Sequence, residues 1–580
     1  MEEHPHESID TVFNCVIPYI HNGDDRNSIS LVRRRWYEID CMTRKHVTVH
    51  AVYSRQASRV SKRFPYLESL TLKGFPRVLQ EIRYIDIRPW IKEIVVSFKC
   101  LKSLDIRRVI VCDSDLEQLA RSRGKDLRIL KINNCKGSIG NGFIHIGRYC
   151  NDLRTLCLED NTKNQKNRKW LHELALNNTH IESFKFSSAV SEYDVKDLTL
   201  LAKSCSQSLA YLKMGKCRLS DLRDVFSHAV NLKDFACSEL ENFEQEGDQY
   251  AGLKFTPDMR ISIYSIDQSV LPFLLPLSNR LTELNLRHLN EDSQCFLIRR
   301  CPNLEALYIN DMFGDKLLQV IGESCKKLRK LKTDGSAAKH LGLIALAQGC
   351  LELECLHINF SKDISNESLE CIGSCLKNLN DFQITLPYNT ISVLDSGIRA
   401  MLIGCSKLER LTINHDSGPL TYASLGYIGK YGHNLRCLSL GYIRSVDRGL
   451  VDSGIRAMMI GCSKLERLRL NNCCRDLTNV GMGYIGKYGH NLRHLSLGGY
   501  IRYMEEGLVE LSKGCPRLRK LEIHKRFLSK QALSTLMLNL QSLRYVWVLD
   551  RDGDIVLAKT RYNWVVDCNE RTLLEKTVRF

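Results

Sequence analysis

The sequence predicts an α/β solenoid, with one parallel strand per unit lining the inside of an arc and one helix per unit outside. Three observations predict it. SGIRAMLIGCSKLERL from Ser396 recurs as SGIRAMMIGCSKLERL from Ser453, and YIGKYGHNLR from Tyr427 recurs from Tyr484, both at an offset of 57 residues. A shorter period lies inside that offset. The pattern L-x-x-L-x-L/I starts at Leu304, Leu328, Leu353, Leu379, Leu408, Leu435, Leu465, Leu492, Leu518 and Leu543, at spacings of 24 to 30 residues. The copy therefore spans two whole units, Leu408 to Leu465. A closed core would have no place for such a copy, whereas a solenoid unit touches only its neighbours and an inserted whole number of units lengthens the stack.

The period is that of leucine-rich repeats, roughly 20 to 29 residues. In each unit the L-x-L alternation reads as a short strand. The segment before it, such as SLGYIGKY or LIALAQGC, has helical apolar spacing. The template runs back through Leu281, Leu232, Leu209, Ile181, Leu153, Leu127, Leu101 and Leu67, with one degraded unit near Met259. The repeats are expected over 51–548, with the duplicated two-repeat unit near 396–510, and 549–580 as a C-terminal tail or cap.

Residues 9–50 differ in kind. They hold no L-x-x-L-x-L unit; helical apolar spacing appears at Val12, Phe13, Val16, Ile17 and Ile20, then at Leu31, Val32, Trp36 and Ile39. Two or three short helices of this size are too small to be robust alone. They read either as a cap on the first edge of the solenoid or as a docking module.

Composition narrows the function. The chain has 580 residues, 44% hydrophobic, enough for a large core that repeats extend beyond the usual single-domain length. No apolar run approaches the roughly 20 residues that cross a bilayer; VLPFLLPL from Val270 is short and broken by proline. MEEHPHESID does not resemble a secretory signal, so an intracellular protein without a membrane partner is expected. Among the 24 cysteines, Cys150, Cys205, Cys301, Cys325, Cys350, Cys375, Cys405, Cys462 and Cys515 fall at one place, just before the strand. That placement favours packing of a small side chain over a metal or disulfide framework, and no metal site is expected.

Enzyme motifs fail one by one. HELAL from His172 has Leu176 where a zinc peptidase needs its second histidine, and GSIGNG from Gly137 has neither dinucleotide spacing nor a phosphate-binding lysine. A net charge of +17, from 83 basic and 66 acidic residues, suits a phosphorylated ligand or nucleic acid. No nucleic-acid fold signature accompanies it, so nucleic acid is the weaker reading. The chain is read as a binding protein and not as an enzyme.

SLVRRRWYEID from Ser30 resembles the core of plant F-box modules, and the resemblance continues through RFPYLESLTLKGFPR, RKWLHELALNNT, GLIALAQGC and ISNESLECIG over residues 9 to about 548. The strings are similar to the coronatine-insensitive family of jasmonate receptors and, more distantly, to auxin receptors. The resemblance implies an F-box at 9–50 whose Val16, Ile17, Leu31, Val32 and Trp36 meet a Skp-type adaptor and thereby a cullin. It implies a non-catalytic substrate receptor of an E3 ubiquitin ligase that recruits jasmonate-pathway repressors in the nucleus, and in the cytoplasm as well. The rival is a repeat scaffold outside any ligase.

The resemblance further implies an inositol polyphosphate cofactor and the hormone jasmonoyl-isoleucine on a basic floor of Lys73, Arg77, Arg107, Arg108 and Lys332. Lys73 and Arg107 each follow the last apolar residue of their strand, in LTLK and LDIR, so they hold equivalent places on adjacent units. Clustered cations without nearby carboxylates suit a polyanion. Other positions depart from the family. Gln383 and His524 stand in place of arginine, Asn359 or Phe360 and Asn414 or its copy Asn471 in place of tyrosine, and Glu81 in place of phenylalanine. Inserting two units also carries His524 and Trp547 farther along the arc, so altered or lost hormone binding is expected. Pro18 falls within the first predicted helix, where it removes a hydrogen bond and costs about 3 kcal/mol unless the helix kinks.

Overall fold

In a computed structural model of the chain, residues 12–568 are described except 52–53, 55, 75–83, 138–139, 160–168, 188–192, 241–252, 336, 360–363, 387–392, 416–419, 445–447, 472–476, 499–504, 525–534, 537, 550–554 and 560–563. Two compact units divide the chain, Met1–Ser262 and Ile263–Phe580.

In the first unit, strands His46–His50, Ser69–Lys73, Ser103–Arg107, Ile129–Asn133, Thr155–Glu159, Ser183–Phe186, Tyr211–Cys217 and Asp234–Leu240 pair in parallel, each with the next. The alternation dictates the facing. Leu70 and Leu72 are fully buried while Ser69, Thr71 and Lys73 stand on the open face. Burying each such leucine contributes about 1.5 to 3 kcal/mol. The sheet begins earlier than the leucine template suggests: HVTVH forms its first strand although it lies within the segment 9–50, with Val49 in the inward place.

The second unit repeats the plan from Leu281–Leu286 through Ala306–Ile309, Lys330–Thr333, Cys355–Asn359, Asp381–Thr385, Arg410–Asn414, Cys437–Leu440, Arg467–Leu470, His494–Leu497 and Lys520–His524 to Tyr545–Leu549, all parallel. Ile555–Lys559 and Trp564–Cys568 then add antiparallel to its last edge. The degraded unit near Met259 still forms a strand, Arg260–Ile266, with isoleucine in the leucine places.

Neighbouring helices touch backbone to backbone, which explains the Gly-Cys pairs that close them. A Cβ at Gly404 would stand 1.8 Å from the Gly373 carbonyl oxygen, and one at Gly461 1.8 Å from that of Gly429; only glycine admits that approach. The cysteine that follows turns its thiol inward. Cys405 Sγ donates to the carbonyls of Ile372 and Leu376, and Cys462 Sγ to those of Ile428 and Gly432. Burial pushes both thiols up to about 12, so they stay protonated and serve packing. Cys375 breaks the expected series: it is half-exposed, and Leu376 takes the buried place at the helix end.

Candidate functional site

The N-terminal module is helical over 12–16, tightens to a 3-10 turn at Ile17–Tyr19, and continues in Gly23–Ile29 and Arg34–Thr43. Pro18 therefore does not interrupt a helix. It lies at the first positions of the 3-10 turn Ile17–Tyr19, where its fixed φ fits and an N–H lacks a partner within the turn. Asp40, fully buried, gathers three arginines: Arg26 Nε at 2.9 Å, Arg44 Nη2 at 2.7 Å and Arg63 Nη2 at 3.7 Å. Arg63 belongs to the helix Ala57–Arg63 that precedes the repeat strand Ser69–Lys73, so this network ties the module to the first repeat. Sequence reasoning missed it, because arginines spread over 26–63 show no spacing until the helices pack.

Of the predicted adaptor residues, Leu31 is 86% exposed, Val32 61% and Val16 44%. Trp36 is half-buried and packs on Phe13, ring centroids 4.1 Å apart, with the Arg33 guanidinium 5.7 Å from its centre. Ile17 is fully buried and so is not available to a partner.

The structure brings Lys73, Arg107 and Arg108 together at the C-terminal ends of two adjacent strands. Lys73 and Arg107 are partners in register. Arg108 has φ of 56°, the left-handed region that turns the chain out of the strand, and its N–H donates to the Asn133 carbonyl at 3.2 Å. Gly74 fits against that turn, since a Cβ there would lie 1.7 Å from the Arg108 carbonyl oxygen. Burial, then repulsion from Arg107 and Arg108, holds the Lys73 ammonium below the ordinary lysine value, with Asp105 opposing. A seated anion would relieve both repulsions.

The structure corrects the expectation that this cluster lacks a carboxylate. Asp105 accepts from Arg107 Nε at 2.8 Å and from its Nη2. Two residues apart on one strand, they share a face. This hydrogen-bonded partner raises the Arg107 pKa further and removes part of its charge from the site.

Arg77 and Glu81 lie outside the described residues. Lys332 belongs to the second unit, in register between Tyr308 and His357, and makes no ion pair among the described residues. Gln383 stands one strand beyond His357 and Asn414 is in register with Thr385, so both departures leave neutral amides on that face. The side chains of His524 and Trp547 are not described.

The same face holds a cluster the sequence reading did not find. Cys355, His357 and Asp381 place a thiol, an imidazole and a carboxylate within 4.8 Å of one another. The set suits a cation poorly. Arg410 Nε already lies 2.9 Å from Asp381 Oδ2, and burial with Asp381 beside it pushes the Cys355 thiol up to about 11, so no thiolate is offered at neutral pH. A second polar cluster centres on Glu522, nearly buried, with Lys520, His494 at 3.4 Å and Arg469 at 3.5 Å around it.

Residues 5–46 match the F-box family model. Coronatine-insensitive protein 1 of Arabidopsis thaliana is 36% identical over 561 residues, covering 93% of this chain and 85% of that protein. Coronatine-insensitive protein homolog 2 of rice is 33% identical, covering 96% and 90%. GRR1-like protein 1 of Arabidopsis is 28% identical, covering 80% and 82%. With an F-box ahead of a leucine-rich-repeat sheet and this identity over nearly its whole length, the chain belongs to the coronatine-insensitive family of plant F-box leucine-rich-repeat proteins.

Proposed function

We propose that the chain is the substrate-recognition subunit of a Skp/cullin/F-box ubiquitin ligase, recruiting jasmonate-pathway repressors for ubiquitination in the nucleus and the cytoplasm. The observation that carries the reading is the exposure of the apolar side chains of Val16, Leu31 and Val32 on a module pinned by Asp40 to the first repeat. Rigid attachment matters to a receptor. It fixes how far the held substrate stands from the transferred ubiquitin, and a flexible joint would lose that positioning.

Lys73, Arg107 and Arg108 are the proposed seat of an inositol polyphosphate. The bidentate fork of arginine suits phosphate, and the repulsion among the three cations is released when a polyanion binds. Asp105 limits how much charge Arg107 lends. Jasmonoyl-isoleucine binding is altered in this reading, because neutral Gln383 and Asn414 offer no fork to a hormone carboxylate.

Reconstitution tests the proposal. Wild-type chain combined with a Skp-type adaptor, cullin and the ubiquitin-transfer enzymes should modify a jasmonate-pathway repressor, and Leu31→Glu should abolish transfer. Thermal stabilisation by inositol hexakisphosphate should fall steeply with salt and disappear in Arg107→Glu, Arg108→Glu. Absence of transfer with wild type, or stabilisation equal in both proteins, contradicts the corresponding half.

A further inference from the structure

The two copies of KLERL place an identical arginine in two different settings. Along the open face of the second unit, Asp381, Arg410, Cys437, Arg467, His494 and Lys520 follow one another in register, one per strand. Arg410 has Asp381 beside it at 2.9 Å. Its copy Arg467 has Cys437 there instead. Arg467 is exposed and makes no ion pair or side-chain hydrogen bond among the described residues.

Divergence after copying adds to this. Thr412 of the first copy corresponds to Arg469 of the second, so two guanidinium groups now flank Leu468 on one face of one strand. Among the described residues Arg469 reaches only Glu522, at 3.5 Å, and that carboxylate is shared with Lys520 and His494. The outward neighbours of Arg469 in register are Ser439 and Ser496, small and uncharged. Among the described residues cations therefore exceed anions on this patch: Arg467, Arg469 and Lys520 face a single carboxylate, and Asp381 is occupied by Arg410.

We propose that Arg467 and Arg469 form an anion-binding site created by the duplication, and that its occupant is an acidic segment of a partner protein lying across the open face. Charge complementarity argues for the anion, and spacing argues for a peptide. The Cα atoms of Arg467 and Arg469 stand about 7 Å apart along the strand, and Glu522 already bridges Arg469 and Lys520 from one side, which leaves Arg467 and the outer side of Arg469 to an added carboxylate. An extended chain repeats its side chains at the same spacing of about 7 Å, so acidic residues two apart meet both arginines. The patch lies wholly within the second unit and does not involve the Lys73 cluster. The inference rests on the repeat domain being a recognition surface; capture of a Skp-type adaptor, measured on the same preparations, reports the F-box separately.

The test is fluorescence anisotropy of the full-length protein with a labelled eight-residue peptide alternating Glu and Ser. Arg467→Gln combined with Arg469→Thr, the first copy's residue, should weaken binding about tenfold and flatten its salt dependence. Arg410→Gln should leave it near wild type, and citrate should compete only at far higher concentration than the peptide. Equal affinity of wild type and the double variant, with thermal midpoints matched, overturns the site. Competition by citrate at the peptide's own concentration overturns the peptide as occupant. Loss of peptide binding with adaptor capture intact supports the site.

Discussion

The strands Arg410–Asn414 and Arg467–Leu470 began as the same sequence, and they have changed in chemically different ways on their two faces. Inward, the packing is kept although side chains have changed: Ile413 has become Leu470, Leu402 Met459 and Leu425 Met482, all buried and apolar. Leu411 and Leu468 are buried alike, Cys405 and Cys462 donate to equivalent carbonyls of the preceding unit, and Gly404 and Gly461 meet the preceding helix at the same 1.8 Å. The helix starts agree too, since Asp395 and Asp452 accept from Thr421 and Thr478 in the same way, each N–H at 3.1 Å. Outward, Thr412 has become Arg469 and Cys437 has become His494. In a solenoid the inward residues must fit the neighbouring unit whatever the unit's place, while an outward residue takes its meaning from the strand beside it.

The comparison is most severely tested at the shared inward contact. Gly461→Val or Gly404→Val drives a side chain into a backbone carbonyl, with nothing flexible to yield, and should each cost more than about 3 kcal/mol, read as a large fall in thermal midpoint. A milder response at one copy than at the other would show that the two are not packed alike. Removal of the copy should be gentler. Deleting residues 397–453 joins Ser396 to Gly454 and restores sequence, strand register and helix register, so the shortened chain should unfold cooperatively at a midpoint closer to wild type than either glycine variant. Aggregation of the shortened chain would contradict a two-unit copy bounded at Ser396 and Ser453.

Smaller effects separate the outward faces. Burial acts to raise the Glu522 carboxyl, but His494, Lys520 and Ser496 outweigh it and hold it well below the usual carboxylate range. A depressed carboxylate lends stability above its unfolded value, near 4.5, and loses it as pH falls toward the folded value. Glu522→Gln should therefore cost about 1.5 to 3 kcal/mol at pH 7 and progressively less below pH 4.5. A constant cost across that range would mean the charge is not what matters. Arg410→Gln removes a half-exposed pair worth about 0.5 to 1 kcal/mol. Arg467→Gln, with no pair to lose, should be neutral within about 0.5 kcal/mol; equal losses would erase the contrast.

The strands and their facing were legible because leucine at fixed spacing reports burial directly. What escaped was either written in other residues or needed the register. His46–His50 uses valine and threonine, and Arg260–Ile266 uses isoleucine. Cys375 carried the right letter one residue out of place, since the helix continues one step further and Leu376 caps it. Asp105 was within reach: two residues before Arg107 on a strand means the same face, and that alone predicts the pairing seen at 2.8 Å. Cys355 and Asp381, by contrast, lie 26 residues apart and become neighbours only when adjacent strands are aligned. In the F-box, apolar spacing marked Ile17 and Leu31 equally, yet one is fully buried and the other 86% exposed; periodicity finds a helix face but not what covers it.

The central claim, that the N-terminal module is a working F-box on a repeat-built receptor, is tested most directly by titrating the purified full-length chain with a Skp-type adaptor in a calorimeter. Wild type should form a one-to-one complex. Trp36→Ala, which removes the ring packed against Phe13, should abolish measurable binding while the thermal midpoint of the repeats stays unchanged. No heat of binding with wild type, or the same affinity in Trp36→Ala, would contradict the account.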